Sequence, residues 1–87
     1  MNAVQTISKE QIQETIITLL HQIAPEADYE ALDPQANLQE ALDIDSFDFL
    51  NLLIELHKVL GVQVPESDYR QVLSLQGMVT YIAAGMP

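Results

Sequence analysis

The chain has 87 residues, a net charge of −10 and only three basic side chains. Proteins that bind nucleic acid neutralise phosphates with Lys and Arg, so this charge balance argues against a nucleic-acid partner. Hydrophobic residues make up 48% of the chain, which excludes intrinsic disorder, and no apolar run is long enough to span a bilayer. The length predicts one domain, 1–87, around a single small core.

Cysteine is absent, so neither disulfides nor cysteine metal ligands are predicted. The first residues lack the basic-then-apolar pattern of a secretory signal peptide. A cytoplasmic, monomeric protein that does not insert into membranes is therefore expected.

The first predicted helix runs from Ser8 to Ile23. Ser8 with Gln11 matches a capping box, and Ile7 with Ile12 matches a hydrophobic staple. Apolar residues then recur at helical spacing up to the Ala-Pro pair that ends the segment.

A long connection, 25–43, follows the first helix. Loops of this length are uncommon in compact domains and usually functional, and the length suits a bundle in which one loop crosses from end to end. Asn37 with Glu40 is predicted to cap one short turn of helix within it. Three leucines are expected to pin the connection to the core: Leu32, Leu38 and Leu42.

The later elements complete an all-α fold. A second helix is predicted from Ser46 to Leu60, with Gly61 just past its end. A connector, 62–65, precedes a short third helix, which is predicted from Glu66 to Val72. A last helix is predicted to be capped by Ser74, to run through Ala84 and to be terminated by Gly85 and Pro87. The prediction is a small four-helix bundle with three longer helices, one short third helix and a long loop between helices one and two.

The helix that begins at Ser46 carries two apolar faces. With about 100° between successive residues, one side, expected to face the core, collects Phe49, Leu52, Leu53, Leu56, Val59 and Leu60. The other side collects Phe47, Leu50 and Ile54, beside Asn51 and Lys58. A surface helix needs only one apolar stripe, so the second stripe indicates either a fully buried helix or a binding surface. Polar residues around the circumference favour the binding surface.

The start of this helix is the most informative local pattern. If Asp45 is the N-cap, Ile44 and Phe49 occupy the staple positions and Ser46 becomes the first helical residue. Its hydroxyl is then not consumed by capping, and a phosphodiester there would face free backbone N–H groups and the positive end of the helix dipole. The alternative is that Asp45 and Ser46 only start a helix.

The Asp-Ser-apolar turn and its surroundings resemble the attachment site of acyl carrier proteins. The resemblance covers most of the chain up to Ile82, and its specific part is 38–60. Within that part the apolar helix matches, as do Leu38, Leu42, Asp45, Ser46 and Asp48. Val64-Pro65 and Tyr81-Ile82 are further matching features. The resemblance implies that a phosphopantetheinyl transferase moves 4′-phosphopantetheine from coenzyme A to Ser46. It also implies that the arm holds acyl groups as thioesters for acyl-transferring or condensing enzymes in fatty-acid, polyketide or related biosynthesis.

The resemblance further implies that the Ser46 helix is the recognition helix, so the predicted partner-binding residues are Phe47, Asp48, Leu50, Asn51 and Ile54, with Asp45 beside the arm. The chain departs from the family pattern in having Asp43 for a glycine, Phe47 for a leucine, a bulky Phe49, and Asn51, His57 and Lys58 where acids are frequent. These departures favour a specialised, stand-alone carrier, such as one serving a dedicated gene cluster. An aromatic ring at position 49 predicts short or polar acyl groups, or acyl groups held outside the bundle.

Acidic residues precede Ser46 in an uneven distribution. Eight of the thirteen acids lie between residues 26 and 48 with no basic residue among them: Glu26, Asp28, Glu30, Asp33, Glu40, Asp43, Asp45 and Asp48. A solvated acidic loop is the simple interpretation. Such a group would also attract a basic partner and speed its encounter.

Two other classes of function fit parts of the pattern. A peptidyl carrier uses the same arm, but more often shows a Gly-Gly-x-Ser turn. An unmodified helical adaptor would bind an amphipathic partner through Phe47, Leu50 and Ile54 and would need no serine chemistry. An enzyme is not predicted, because His21 and His57 lie on separate helices, His21 is expected only to interact with the helix dipole, and no nucleophile motif surrounds Ser46. No metal site is predicted, because the acids near Ser46 lack EF-hand spacing.

Overall fold

The computed structural model describes residues 8–85, and within them the fold is helical with no strand. The elements in chain order are α1 (Lys9–Ile23), α2 (Leu38–Leu42), α3 (Ser46–Leu60), a 3₁₀ helix (Glu66–Val72) and α4 (Leu75–Gly85). Helix α1 packs against both α3 and α4, and the 3₁₀ helix packs chiefly against α4. The predicted small helical bundle is confirmed.

Helix α1 begins at the predicted capping box. The Ser8 hydroxyl accepts a hydrogen bond from the Gln11 N–H at 3.1 Å, and the Gln11 side chain accepts one from the Ser8 N–H at 3.0 Å. These bonds satisfy two donors that a helix start leaves without intrahelical partners. Ile7, one half of the predicted staple, lies outside the described residues.

The connection between α1 and α3 contains the predicted short turn as a helix of its own, α2. The Asn37 side chain accepts a hydrogen bond from the Glu40 N–H at 3.1 Å and caps it. Leu38 is fully buried, while Leu32 and Leu42 are half-buried against the core. Residues 8–85 therefore contain five helical segments rather than four, because the long loop folds locally around Leu38.

Tyr29 attaches the same connection to the end of α1. Its hydroxyl lies within hydrogen-bond distance of the Leu20 and Ala24 carbonyl oxygens, at 3.0 and 2.8 Å. Both carbonyls also accept backbone N–H groups, from Ala24 and Ala27, so the hydroxyl adds a second donor at the end of α1. Burial raises the pKa of Tyr29. The His21 ring packs on the Tyr29 ring, with centroids 4.4 Å apart, a contact that the predicted dipole interaction did not include.

The core draws apolar side chains from every element. On α3, the predicted core residues Phe49, Leu52, Leu53 and Leu56 are buried and Leu60 is half-buried. The prediction was wrong for Val59, which is 55% exposed. Val59 lies in the last turn of α3, and on the helical wheel it borders Glu55 at the edge of the apolar sector, where burial ends.

The 3₁₀ helix occupies the predicted range of the short third helix and is tied to α4. The Tyr81 hydroxyl donates a hydrogen bond to the Asp68 carboxylate at 2.6 Å, and this bond is the main cause that raises the pKa of Tyr81. Helix α4 is capped by Ser74 as predicted, but Gly85 is its last residue rather than its terminator. Pro87 lies outside the described residues.

Gly77 permits the close approach of α4 to the 3₁₀ helix. A Cβ atom added there would lie 2.5 Å from the backbone oxygen of Gln71. We expect Gly77→Ala to lower the free energy of unfolding by about 1–3 kcal/mol, the usual cost of overpacking, despite the better helix propensity of alanine. Urea unfolding monitored by circular dichroism measures this change. The control is Thr80→Ala, at an exposed position of α4; equal stability of Gly77→Ala and wild type would contradict the close contact.

Candidate functional site

Asp45 caps α3 and leaves Ser46 as the first helical residue, as the sequence predicts. The Asp45 side chain accepts a hydrogen bond from the Asp48 N–H at 2.9 Å, and its backbone carbonyl accepts one from the Phe49 N–H at 3.1 Å. Ser46 is exposed to solvent. Because the carboxylate of Asp45 makes the cap, the Ser46 hydroxyl is not required for it.

The serines at the other helix starts differ from Ser46. The Ser8 hydroxyl caps α1, and the Ser74 hydroxyl accepts a hydrogen bond from the Gly77 N–H at 3.0 Å to cap α4. Ser67 lies inside the 3₁₀ helix and is exposed. Ser46, by contrast, is exposed, and its hydroxyl is not used for capping. It lies in the first turn of an α-helix, where backbone N–H groups without partners favour a phosphate.

The turn that leads into Ser46 depends on Asp43. This residue adopts a left-handed backbone conformation, with φ 54° and ψ 46°, at the end of α2. Aspartate enters this region more readily than most residues, so the turn can form here without a glycine. The following Ile44 N–H donates to the Gln39 carbonyl at 3.1 Å, and the Ile44 side chain is buried, as is its predicted staple partner Phe49.

The second apolar face of α3 is exposed in the folded chain. Phe47 is 78% exposed, Ile54 52% and Leu50 38%. These three residues, spaced for one helix face, are called the exposed stripe below. Asn51 beside them is exposed and Asp48 is half-buried. Full burial of α3, one of the two interpretations of its sequence, is therefore excluded within this chain.

An acidic groove lies next to the start of α3, between the long connection and the α2–α3 turn. It is lined by apolar side chains, among them Leu32, Leu42 and Ile44, and by five acids with no base: Glu26, Asp28, Asp33, Asp43 and Asp48. Helix α3 itself adds little charge, because Glu55 pairs with Lys58 at 3.2 Å on its surface. The negative potential beside Ser46 therefore comes mainly from the preceding segment.

Residues 8–85 offer neither a metal-binding cluster nor a membrane-spanning helix. They contain no group of three or more His, Asp or Glu side chains placed to hold a metal ion. None of their helices has the length and apolar character needed to cross a membrane.

The Asp45 cap makes a testable contribution to stability. We expect Asp45→Ala to lower the free energy of unfolding by about 1 kcal/mol, because the Asp48 N–H loses its acceptor. Asp45→Asn retains a side-chain oxygen that can accept the same bond and should stay close to wild type. Urea unfolding of the two variants distinguishes them. An equal loss in both would show that the charge of Asp45, rather than its cap, stabilises α3.

Comparison with known proteins identifies the class to which this geometry belongs. A family model described as the phosphopantetheine attachment site matches residues 10–82. The match covers most of the chain and includes Ser46, all but the first residue of α1 and most of α4. The chain therefore belongs to the phosphopantetheine attachment family, whose members carry covalently attached 4′-phosphopantetheine.

Curated relatives include several acyl carrier proteins. The chain is 27% identical over 73 residues to an acyl carrier protein of Campylobacter hominis, covering 84% of this chain and 86% of the relative. It is 31% identical over 71 residues to polyketide-8 synthase acyl carrier protein 2 of Streptomyces avermitilis, covering 82% and 76%. It is 27% identical over 55 residues to an acyl carrier protein of Rubrobacter xylanophilus, covering 63% and 68%.

Proposed function

We propose that this chain is an acyl carrier protein and that the Ser46 hydroxyl holds its 4′-phosphopantetheine arm. The observation that carries the proposal is the exposed Ser46 in the first turn of α3, with the cap supplied by Asp45. Membership of the attachment family supports the cofactor, and the named relatives support an acyl group as its load. The terminal thiol of the arm holds that acyl group as a thioester.

Attachment requires Ser46 to act as a nucleophile toward coenzyme A. The Ser46 oxygen forms a bond to the phosphorus next to the pantetheine, the bond from that phosphorus to the adenosine bisphosphate part breaks, and the serine proton is lost. We assign the base to the transferase, because His21 lies on α1 and His57 lies in the last turn of α3, roughly 16 Å along the helix axis from Ser46. On this chain, backbone N–H groups at the start of α3 favour the resulting phosphodiester.

We infer that partner enzymes dock on the exposed stripe next to Ser46. Partially exposed aromatic and aliphatic side chains are typical anchors of interfaces, whereas charges at a rim mainly change encounter rates. Phe47, Leu50 and Ile54 supply the anchors, with Asp48 and Asn51 beside them. The acidic groove supplies attraction for a basic partner surface. The partners proposed are the phosphopantetheinyl transferase and acyl-transferring or condensing enzymes.

We further infer that the chain presents acyl groups to enzymes rather than catalysing a reaction. Its relatives include both general acyl carrier proteins and a polyketide synthase carrier. The departures at Phe47, Phe49 and Asn51 favour a specialised pathway over general fatty-acid synthesis. We also propose that residues 1–87 form a single domain and that the protein acts as a monomer in the cytoplasm.

Intact mass spectrometry tests this function. The purified chain is incubated with coenzyme A and a broad-range phosphopantetheinyl transferase, with a parallel sample lacking coenzyme A. We expect the mass of one arm to be added per chain, only in the complete reaction. An unmodified chain with several transferases, beside a known carrier that is fully modified, would overturn the proposal in favour of an unmodified adaptor.

A further inference from the structure

A second groove lies at the far end of α3 from Ser46, between the connector 62–65 and α4. Its volume is about 880 Å³, within the usual range of ligand-binding sites. Gly61, at its edge, ends the 15-residue helix that Ser46 begins, which places the two residues roughly 20 Å apart along the helix axis. This distal groove shares no lining residue with the acidic groove. It is therefore a separate feature of the surface.

Uncharged side chains line the distal groove. The described residues around it include no Asp, Glu, Lys, Arg or His, although the chain has a net charge of −10. Four of the lining side chains are carboxamides: Gln35, Gln63, Gln71 and Gln76. A carboxamide both donates and accepts hydrogen bonds, as a peptide group does. The lining therefore suits an uncharged ligand that is rich in amide groups.

The connector adds backbone amide groups to one wall of the groove. Val62 and Val64 are buried while Gln63 between them is exposed, which is the alternation of an extended strand. Pro65 restricts the backbone of Val64 to extended conformations. Within residues 8–85, the N–H and C=O groups of 62–64 make no hydrogen bond with another backbone group. A strand-like segment with unpaired backbone groups is a template on which another chain can pair.

We propose that the distal groove binds an extended, uncharged peptide segment of a partner protein, which pairs with the backbone of 62–64 as an added strand. Main-chain hydrogen bonds hold such a segment, and the carboxamides supply donors for carbonyls on its opposite edge. Charge supports this choice of ligand. An acidic segment is repelled by the net charge of the chain, and a basic segment finds no carboxylate among the described lining residues.

A segment bound in the distal groove leaves Ser46 and the exposed stripe accessible, because both lie outside the groove lining. A partner can therefore remain attached through this segment while an enzyme docks on the stripe. Attachment at one site raises the effective concentration of the same partner at the other. The binding itself does not depend on the arm, so the unmodified chain is used to test it, and failure of Ser46 attachment would leave the result unchanged.

The experiment selects short random peptides from a phage-displayed library on the unmodified 87-residue chain. Peptides that bind Thr80→Arg are removed first, because this substitution places a long charged side chain in the groove at an exposed position of α4. Thr18→Arg, the same change at an exposed position of α1 outside the groove, is the matched control. Ala84→Arg, also exposed in the groove, replaces Thr80→Arg if that variant fails to fold.

Each enriched peptide is also synthesised in two N-methylated forms, one blocked at its odd-numbered residues and one at its even-numbered residues. Because only one edge of an extended peptide faces the connector, the two forms test for strand pairing. Calorimetric titration measures the affinities. NMR spectra locate the bound peptide, and hydrogen exchange of the 62–64 N–H groups reports their pairing.

We expect the enriched peptides to bind wild type and Thr18→Arg equally and to bind the groove variant about tenfold or more weakly, since its Arg side chain fills the site. Bound peptide should shift the resonances of 62–64 and slow their hydrogen exchange. One N-methylated form should lose about tenfold in affinity, the combined effect of several lost main-chain hydrogen bonds. The other form should bind much like the unmodified peptide.

Three results would overturn the proposal: no peptide enriched over the groove variant, equal affinities of the two N-methylated forms, or shifts confined to the exposed stripe. Slow hydrogen exchange of the 62–64 N–H groups in the chain alone would also overturn it. The groove would then already be filled by another segment, or by a second copy, of this chain.

Discussion

Ser46→Ala should abolish attachment of phosphopantetheine, whereas Ser67→Ala should leave it unchanged. The physical reason is that the acceptor oxygen is removed, and the other helix-start hydroxyls, those of Ser8 and Ser74, are engaged in caps. Ser67 is the matched control, since it is exposed and lies between two acids, Glu66 and Asp68. Intact mass after a fixed reaction time with coenzyme A and transferase measures the result.

The loss in Ser46→Ala should be chemical rather than structural. Asp45 makes the cap, and alanine is favourable in a first helical turn, so the free energy of unfolding should change by no more than about 0.5 kcal/mol. Urea unfolding of the unmodified variant checks this. A Ser46→Ala protein that folds and still accepts one arm would refute Ser46 as the acceptor.

Phe47→Ala and Ile54→Ala should each lower kcat/KM for arm transfer by about tenfold, the effect of losing roughly 1–2 kcal/mol of interface contact. Both side chains are largely exposed in the free chain, so a docked enzyme can bury them. Glu55→Gln should change kcat/KM much less, because Glu55 belongs to a solvent-exposed pair with Lys58, and such pairs contribute little.

Salt dependence separates docking contacts from long-range attraction. Raising ionic strength should slow wild type and the apolar variants by a similar factor, because the acids of the groove are retained in all of them. His57→Gln, at an exposed polar position in the last turn of the same helix, controls for nonspecific effects of substitution. If Glu55→Gln were more damaging than Phe47→Ala, charge on α3 rather than the exposed stripe would govern docking.

Features determined by neighbouring residues could be predicted from the sequence. The capping box at Ser8, the Asn37 cap and the Asp45 cap all agree with the structure. Each depends on hydrogen bonds or backbone preferences within a few residues. The Asp45 cap also predicts Ser46 as the first helical residue, with a hydroxyl that is not used for capping.

Contacts between segments that are distant in the sequence could not be predicted from it. Three tyrosines make such contacts: Tyr29 with the end of α1, Tyr69 with Phe49, and Tyr81 with Asp68. The spacing of residues along the chain does not predict any of these contacts. The prediction for Val59 is wrong because a helical wheel gives the direction of a side chain but does not show how far the neighbouring elements extend along the helix. The tyrosines themselves could have indicated tertiary contacts, because the hydroxyl of a half-buried tyrosine usually has a hydrogen-bond partner.

Peptide mapping of the wild-type chain tests the central claim most directly. The chain is co-expressed with a broad-range phosphopantetheinyl transferase, digested, and sequenced by tandem mass spectrometry. The proposal predicts one arm per chain, located on Ser46, with Ser8, Ser67 and Ser74 unmodified. An arm on any of those three residues, or none while a known carrier in the same cells is modified, would contradict it.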